Sequence, residues 1–268
     1  MKAAIVTEYR KLVTTRMWWI LLLAMAAYML FLAAAMAWAF SQGQSTGPSG
    51  DGDVVITPEM TVRTVYALAV SLGYVFPLVV GGLSFSGEFR HKTVTPTLLA
   101  EPRRGVVVLA KLVAGAALGL VFGVVGTLAC VGAGSGVLAA LGEPTFLGDP
   151  VAWRTIGLSV VALALWSLVG VALGSVLTNQ VAVIVVALAF TQFVEPIARV
   201  ALGSIDGGAR IAAYLPGAAG EAVSGGSFYA ASGIGELLPV WGGLLVMLAY
   251  VAVLAAAGRL TTLRRDIT

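Results

Sequence analysis

Six stretches of this 268-residue chain are continuously apolar, at residues 17–40, 65–85, 106–133, 155–177, 181–202 and 237–260. A helix needs about 20 such residues to cross about 30 Å of hydrocarbon. Each stretch reaches that length without the polar face that a helix on a soluble core would show. The chain as a whole is 59% hydrophobic and only 11% charged, with a mean hydropathy of +0.97. That is too little charge to cover a soluble domain. Short alternating segments of the β-barrel kind are absent. The expected fold is an all-α membrane protein, one transmembrane domain over residues 1–268. It has six transmembrane helices, an N-terminal interfacial helix over residues 1–16 and a partly re-entrant segment before the last span.

An even number of spans puts both termini on one side, and the basic residues choose the side. With the N-terminus in the cytoplasm, twelve of the sixteen Lys and Arg residues fall inside, leaving Arg63, Arg154, Arg199 and Arg210 outside. The first apolar run is too long for the core of a signal peptide, so it is expected to stay as a span. Before it, Ile5, Tyr9, Leu12 and Val13 recur at helical spacing, with Thr7, Glu8, Lys11 and Thr15 elsewhere on the wheel. This predicts an amphipathic helix along the inner interface, its cations near anionic lipid.

The connections differ in character. Residues 41–53 are rich in Gly, Ser, Gln, Pro and Asp and read as a flexible external loop. Residues 178–180 form a three-residue turn, which predicts that spans four and five are antiparallel neighbours. Residues 203–236 mix apolar pieces, 211–215 and 228–231, with Gly-rich breaks; such a segment cannot span and enters the membrane only if protein buries it. Within the spans, Gly115, Gly119 and Gly123 repeat every fourth residue, as do Gly170 and Gly174, which predicts close helix packing on those faces. Pro77 predicts a kink in mid-span two, and Pro196 another near the outer end of span five. Glu195 sits just before Pro196. An ionisable residue at that depth is either a polar switch or the partner of Arg199 one turn on.

Chemistry of its own is hard to find in this chain. No G-x-x-x-x-G-K-[ST] phosphate loop is present, no H-E-x-x-H, and no G-x-S-x-G. A single histidine and a single cysteine cannot build a zinc site or an intrachain disulfide. The cationic excess is spread over membrane flanks, not gathered on a soluble face, so nucleic acid is not an expected partner.

What stands out is the polar, basic interruption between spans two and three, SGEFRHKTVTPTLLAEPRRGVVVLAK, residues 86–111. It opens with Glu88, Arg90, His91 and Lys92, continues through Thr93, Pro96, Leu98 and Leu99, and closes on Arg103, Arg104 and Lys111. An acidic start and a basic end match the dipole of a short helix, and Leu98–Leu99 form an apolar ridge. An acid, a Thr, apolar residues, a Pro followed by basic residues and a Lys opening the next span resemble the pattern in permease subunits of bacterial ABC-2 type ABC transporters. The likeness covers the chain: interfacial helix, six spans, long second inside loop, short third inside turn, half-buried segment before span six.

The resemblance implies that residues 87–105 contain a coupling helix. It would dock on a separate cytoplasmic ABC ATPase present in two copies. ATP and Mg²⁺ then belong to that partner, and this chain carries no cofactor and no catalytic residue. It also implies a second permease copy, identical or different, with the translocation path between copies and lined by spans two and five. Carried onto this sequence, that names Tyr74, Phe76, Phe190, Gln192 and Phe193. The implied setting is a bacterial cell membrane, and the implied activity is ATP-driven export. A short apolar chain without a large external domain favours a small amphipathic cargo, drug or lipid-like. Two alternatives are a membrane anchor or regulator without transport, and a polytopic lipid-modifying enzyme, although the latter needs clustered acids or histidines near an interface.

Overall fold

Proline and a side-chain acceptor open two of the long helices. Thr57 accepts a hydrogen bond from the Met60 amide ahead of Pro58, and Asp149 accepts one from the Val151 amide ahead of Pro150. Proline's missing N–H is harmless in a first turn, and the acceptor satisfies one of the free amides there. The computed structural model describes residues 2–44, 57–205, 207–231 and 235–261. In chain order they form α1 (Lys2–Thr14), α2 (Met17–Gln44), α3 (Pro58–Ser71), α4 (Val75–Arg90), α5 (Val94–Ala100) and α6 (Arg104–Ala140). Then follow α7 (Pro150–Val176), α8 (Gln180–Ala189), a π-helical turn (Phe190–Val194), α9 (Glu195–Gly203), α10 (Gly208–Ala212), α11 (Pro216–Ser224), α12 (Phe228–Ala231) and α13 (Val240–Thr261). No strand occurs among the described residues.

Among the described residues, six helical units are long and apolar enough to cross a membrane: Met17–Gln42, Pro58–Arg90, Arg104–Ala140, Pro150–Val176, Gln180–Gly203 and Val240–Thr261. They match the six expected spans, and several run longer. α6, with 37 residues, is about 55 Å long, well beyond about 30 Å of hydrocarbon. Residues 41–44 belong to α2, so the first loop begins later than its composition implies; residues 45–53 of that loop lie outside the described residues.

The core gathers around α7. Gly115, Gly119 and Gly123 of α6 face Val171, Ser167, Ala164 and Val160 of α7, as the four-residue repeat predicts. Ser167 Oγ donates to the Gly115 carbonyl at 2.8 Å across that seam. On the other side of α7, Gly170 and Gly174 lie against the backbone of α4 at Leu78 and Gly82. Without a hydrophobic drive between helices in lipid, such close approach is what holds them together. Spans one, five and six expose most of their apolar surface, whereas spans two and four are mostly buried.

Three expectations need correction. Span two is interrupted not at Pro77 but at residues 72–74, between α3 and α4. The proline ring collides with the carbonyl four residues back, at Gly73, so the break falls there and Pro77 sits in the first turn of α4. In span five the irregularity is the π turn just before Pro196, where a wider turn absorbs the missing hydrogen bond. After the short turn, α8 packs mainly on α4, with Val183 against Gly82, and only slightly along α7. The segment before span six is half-buried as expected: all nine residues of α11 are buried, packed on α7 and α13.

Candidate functional site

At one end of the bundle, four charged side chains from three helices meet. α1 supplies Glu8 and Lys11, α4 supplies Glu88, and α6 supplies Lys111, seven residues in from its start at Arg104. Lys111 Nζ donates to Glu8 Oε2 at 2.7 Å, Glu88 Oε1 at 2.8 Å and the Ser84 carbonyl at 3.2 Å. Lys11 Nζ donates to Glu8 Oε1 at 2.8 Å, Glu88 Oε1 at 2.7 Å and Thr97 Oγ1 at 3.0 Å. An ammonium has three donors, so both lysines are saturated and the cluster carries no net charge. Glu8, Glu88 and Lys111 are buried; Lys111 also lies over the Phe85 ring at 5.2 Å. Through Thr97 the cluster reaches α5. One polar knot therefore ties the N-terminal helix, the end of span two, the short connecting helix and the start of span three.

α1 is accordingly not held by its apolar stripe alone. Glu8 and Lys11 turn toward the bundle, while Tyr9 and Val13 are left exposed. Burial of Lys11 opposes its charge, but its hydrogen bonds to Glu8 and Glu88 outweigh that, and its pKa is raised above 10.5. A raised pKa means that its contribution is complete below 10.5 and fades as the pH climbs through the higher folded value. With its side chain 35% exposed, that contribution is screened to about 1 kcal/mol or less. The thermal midpoint should be flat through neutral pH and step down only in strong alkali, and Lys11→Met should remove the step.

Among the other residues named for coupling, Glu88 faces inward into this knot. Arg90 donates to Gln180 Oε1 at 2.9 Å, and His91, Lys92, Thr93 and Pro96 are exposed. α5 starts at Val94, after Lys92 turns the chain at φ 55°. Leu99 projects outward, 79% exposed, and Leu98 is half-buried. Arg103 pairs with Glu101 at 2.9 Å in the open; that hydrogen bond holds the Glu101 carboxyl below its ordinary value. Arg103, Arg104 and Arg259 line an open groove floored by Val106 and Leu109.

The residues named for a path are not brought together within one chain. Tyr74 is buried, stacked on Trp166 at 4.2 Å, and its hydroxyl donates to the Thr191 carbonyl at 3.1 Å. Phe76 is half-buried beside Tyr28. Phe190, Gln192 and Phe193 point away from the bundle, on the exposed side of span five.

A second buried cluster lies near the other end. Arg199 donates from Nε and Nη2 to Glu195 Oε1 at 3.1 and 2.8 Å, and from Nη1 to Glu221 Oε2 at 2.8 Å. The Glu195–Arg199 pair is the one its four-residue spacing allows. Glu195 Oε1 also accepts from the Ala218 amide at 3.1 Å, capping the start of α11 from outside that helix. Glu221 is the member that sequence reasoning missed, although an acid inside GAAGEAVS is a visible anomaly in a Gly/Ala segment. Helical spacing marks Glu8 and Lys11 only as part of a polar face, and Lys111 only as the residue opening span three. Lys111 had a signal of its own, an ammonium one turn or more inside an apolar helix. No protein-family model matches this chain, and no curated protein does.

Proposed function

We propose that this six-span membrane protein is the permease subunit of an ATP-driven exporter of the ABC-2 type. It would take its motion from a separate cytoplasmic ATPase and move a small amphipathic drug or lipid-like molecule outward. The observation that carries this reading is the mounting of α5. A seven-residue helix lies between spans two and three, presents Leu99 outward and is pinned through Thr97 to a saturated ion cluster on three other helices. A loop serving only to carry positive charge needs no such anchorage. An apolar ridge on a short, firmly held helix suits insertion into a groove on a partner. A push on α5 would reach α1, α4 and α6 together, because the knot has no slack donors.

On this reading the chain hydrolyses nothing, and ATP with Mg²⁺ is handled by two ATPase copies. A second permease copy would cover the apolar face of span five, which bears Phe190 and Phe193, and anionic lipid would sit by the Arg104–Arg259 groove. The test is co-expression with a candidate ABC ATPase subunit. Leu99→Glu and the pair Arg103→Ala/Arg104→Ala should weaken co-purification at least about tenfold, equivalent to about 1.4 kcal/mol. Transport-linked ATP hydrolysis should fall with it. Undiminished complex formation in both variants would remove α5 as the docking element.

A further inference from the structure

The Glu195–Arg199–Glu221 cluster has an unbalanced charge. Two carboxylates face one guanidinium, and all three residues are buried, at 2%, 1% and 5% exposure for Glu195, Glu221 and Arg199. Two of the four carboxylate oxygens, Glu195 Oε2 and Glu221 Oε1, are buried without a hydrogen-bond partner among the described residues. The other two are well served: Arg199 and the Ala218 amide hold Glu195 Oε1, and Arg199 and the Ser227 hydroxyl, at 2.7 Å, hold Glu221 Oε2. A net negative charge with two bare oxygens is expensive in a low-dielectric interior. The contrast with the Glu8–Lys11–Glu88–Lys111 knot, which balances to zero, is direct.

Among the described residues, the groups around the cluster supply no second cation. Tyr74 from the break between α3 and α4, Tyr229 from α12 and Tyr250 from α13 face it, and Tyr229 receives the Arg199 guanidinium over its ring at 4.7 Å. Glu236 stands at the rim, exposed. A cavity of ≈ 10 Å³ lies against Arg199, Glu221 and Ser227, room for about one water. It adjoins a wider cavity of ≈ 260 Å³ lined by Glu59, Arg63 and Thr64 at the end of the bundle opposite α5. Ser227, Ala230 and Leu237 line both cavities.

We propose that the Glu195–Glu221 pair holds one exchangeable proton, reached through Glu221 from the cavity at the end of the bundle opposite α5. Binding converts one carboxylate to a carboxylic acid and brings the cluster to zero charge. The new O–H gives one bare oxygen a donor, aimed at the single water the small cavity admits. A hydrated sodium ion does not fit that space. The assignment stands on this chain alone and does not depend on the transporter reading.

Infrared absorption of the purified protein in bilayers at neutral pH tests it. The wild type should show a carboxylic-acid carbonyl band equivalent to one group per chain, shifted in D₂O. The band should vanish in Glu221→Gln and in Glu195→Gln, each of which keeps side-chain shape, and persist in Glu59→Gln, an exposed control. Should one Gln variant fail to fold, the other and the wild-type spectrum still decide. No acid carbonyl band in the wild type, or an unchanged band in a folded Gln variant at either position, overturns the proposal. So does thermal stabilisation by sodium in a protein that shows no acid band.

Discussion

Lys111→Met should destabilise the protein by about 3–5 kcal/mol, the range for removing one partner of a buried ion cluster. The side chain is 1% exposed and gives all three donors to Glu8, Glu88 and the Ser84 carbonyl. Methionine fills similar volume, so the loss is electrostatic: Lys11 alone then faces two carboxylates. Adding Glu8→Gln to Lys111→Met should recover part of the loss, because one negative charge leaves with the lysine. The double-mutant cycle, read from denaturant unfolding in lipid-like detergent, should give a coupling of about 0.5–3 kcal/mol. A Lys111→Met midpoint equal to wild type would mean that Glu8 and Glu88 do not depend on the Lys111 ammonium for their stabilisation.

Gly170→Val is expected to be the other severe change. A Cβ at that position overlaps the Leu78 carbonyl oxygen, and the contact is backbone against backbone, with no side chain free to swing away. Forcing α4 and α7 apart should cost about 1–3 kcal/mol or more, and it opens the seam that buries Trp166 and Tyr74. Gly157→Val on the same helix is the control. A Cβ there meets nothing within 4 Å, so the midpoint should move by about 0.5 kcal/mol or less. Equal losses at the two positions would rule out the clash with the Leu78 carbonyl as the cause.

The spans were legible because an apolar run of that length has one stable outcome in lipid. The glycine seams were legible because helical spacing projects residues four apart onto one face. Charge pairing was legible only where it was local: Glu195 and Arg199 lie four residues apart. The partners that complete each cluster lie far off in sequence. Lys111 meets Glu8 across 103 positions, and Arg199 meets Glu221 across 22. Spacing rules say nothing at those separations. The kinks show a similar limit. Pro77 and Pro196 announced strain correctly, but the chain relieved it upstream, at residues 72–74 and in the π turn at Phe190–Val194.

Those two irregular turns lie side by side, for the Tyr74 hydroxyl in one reaches the Thr191 carbonyl in the other. A helix is stiff because its hydrogen-bond ladder is unbroken, and bending concentrates where rungs are missing or displaced. Two rods notched at the same height and pinned together there share one axis of flexure. Below that axis, α4 and α8 form a paired lever; above it, α3 and α9 can stay where α11 holds them.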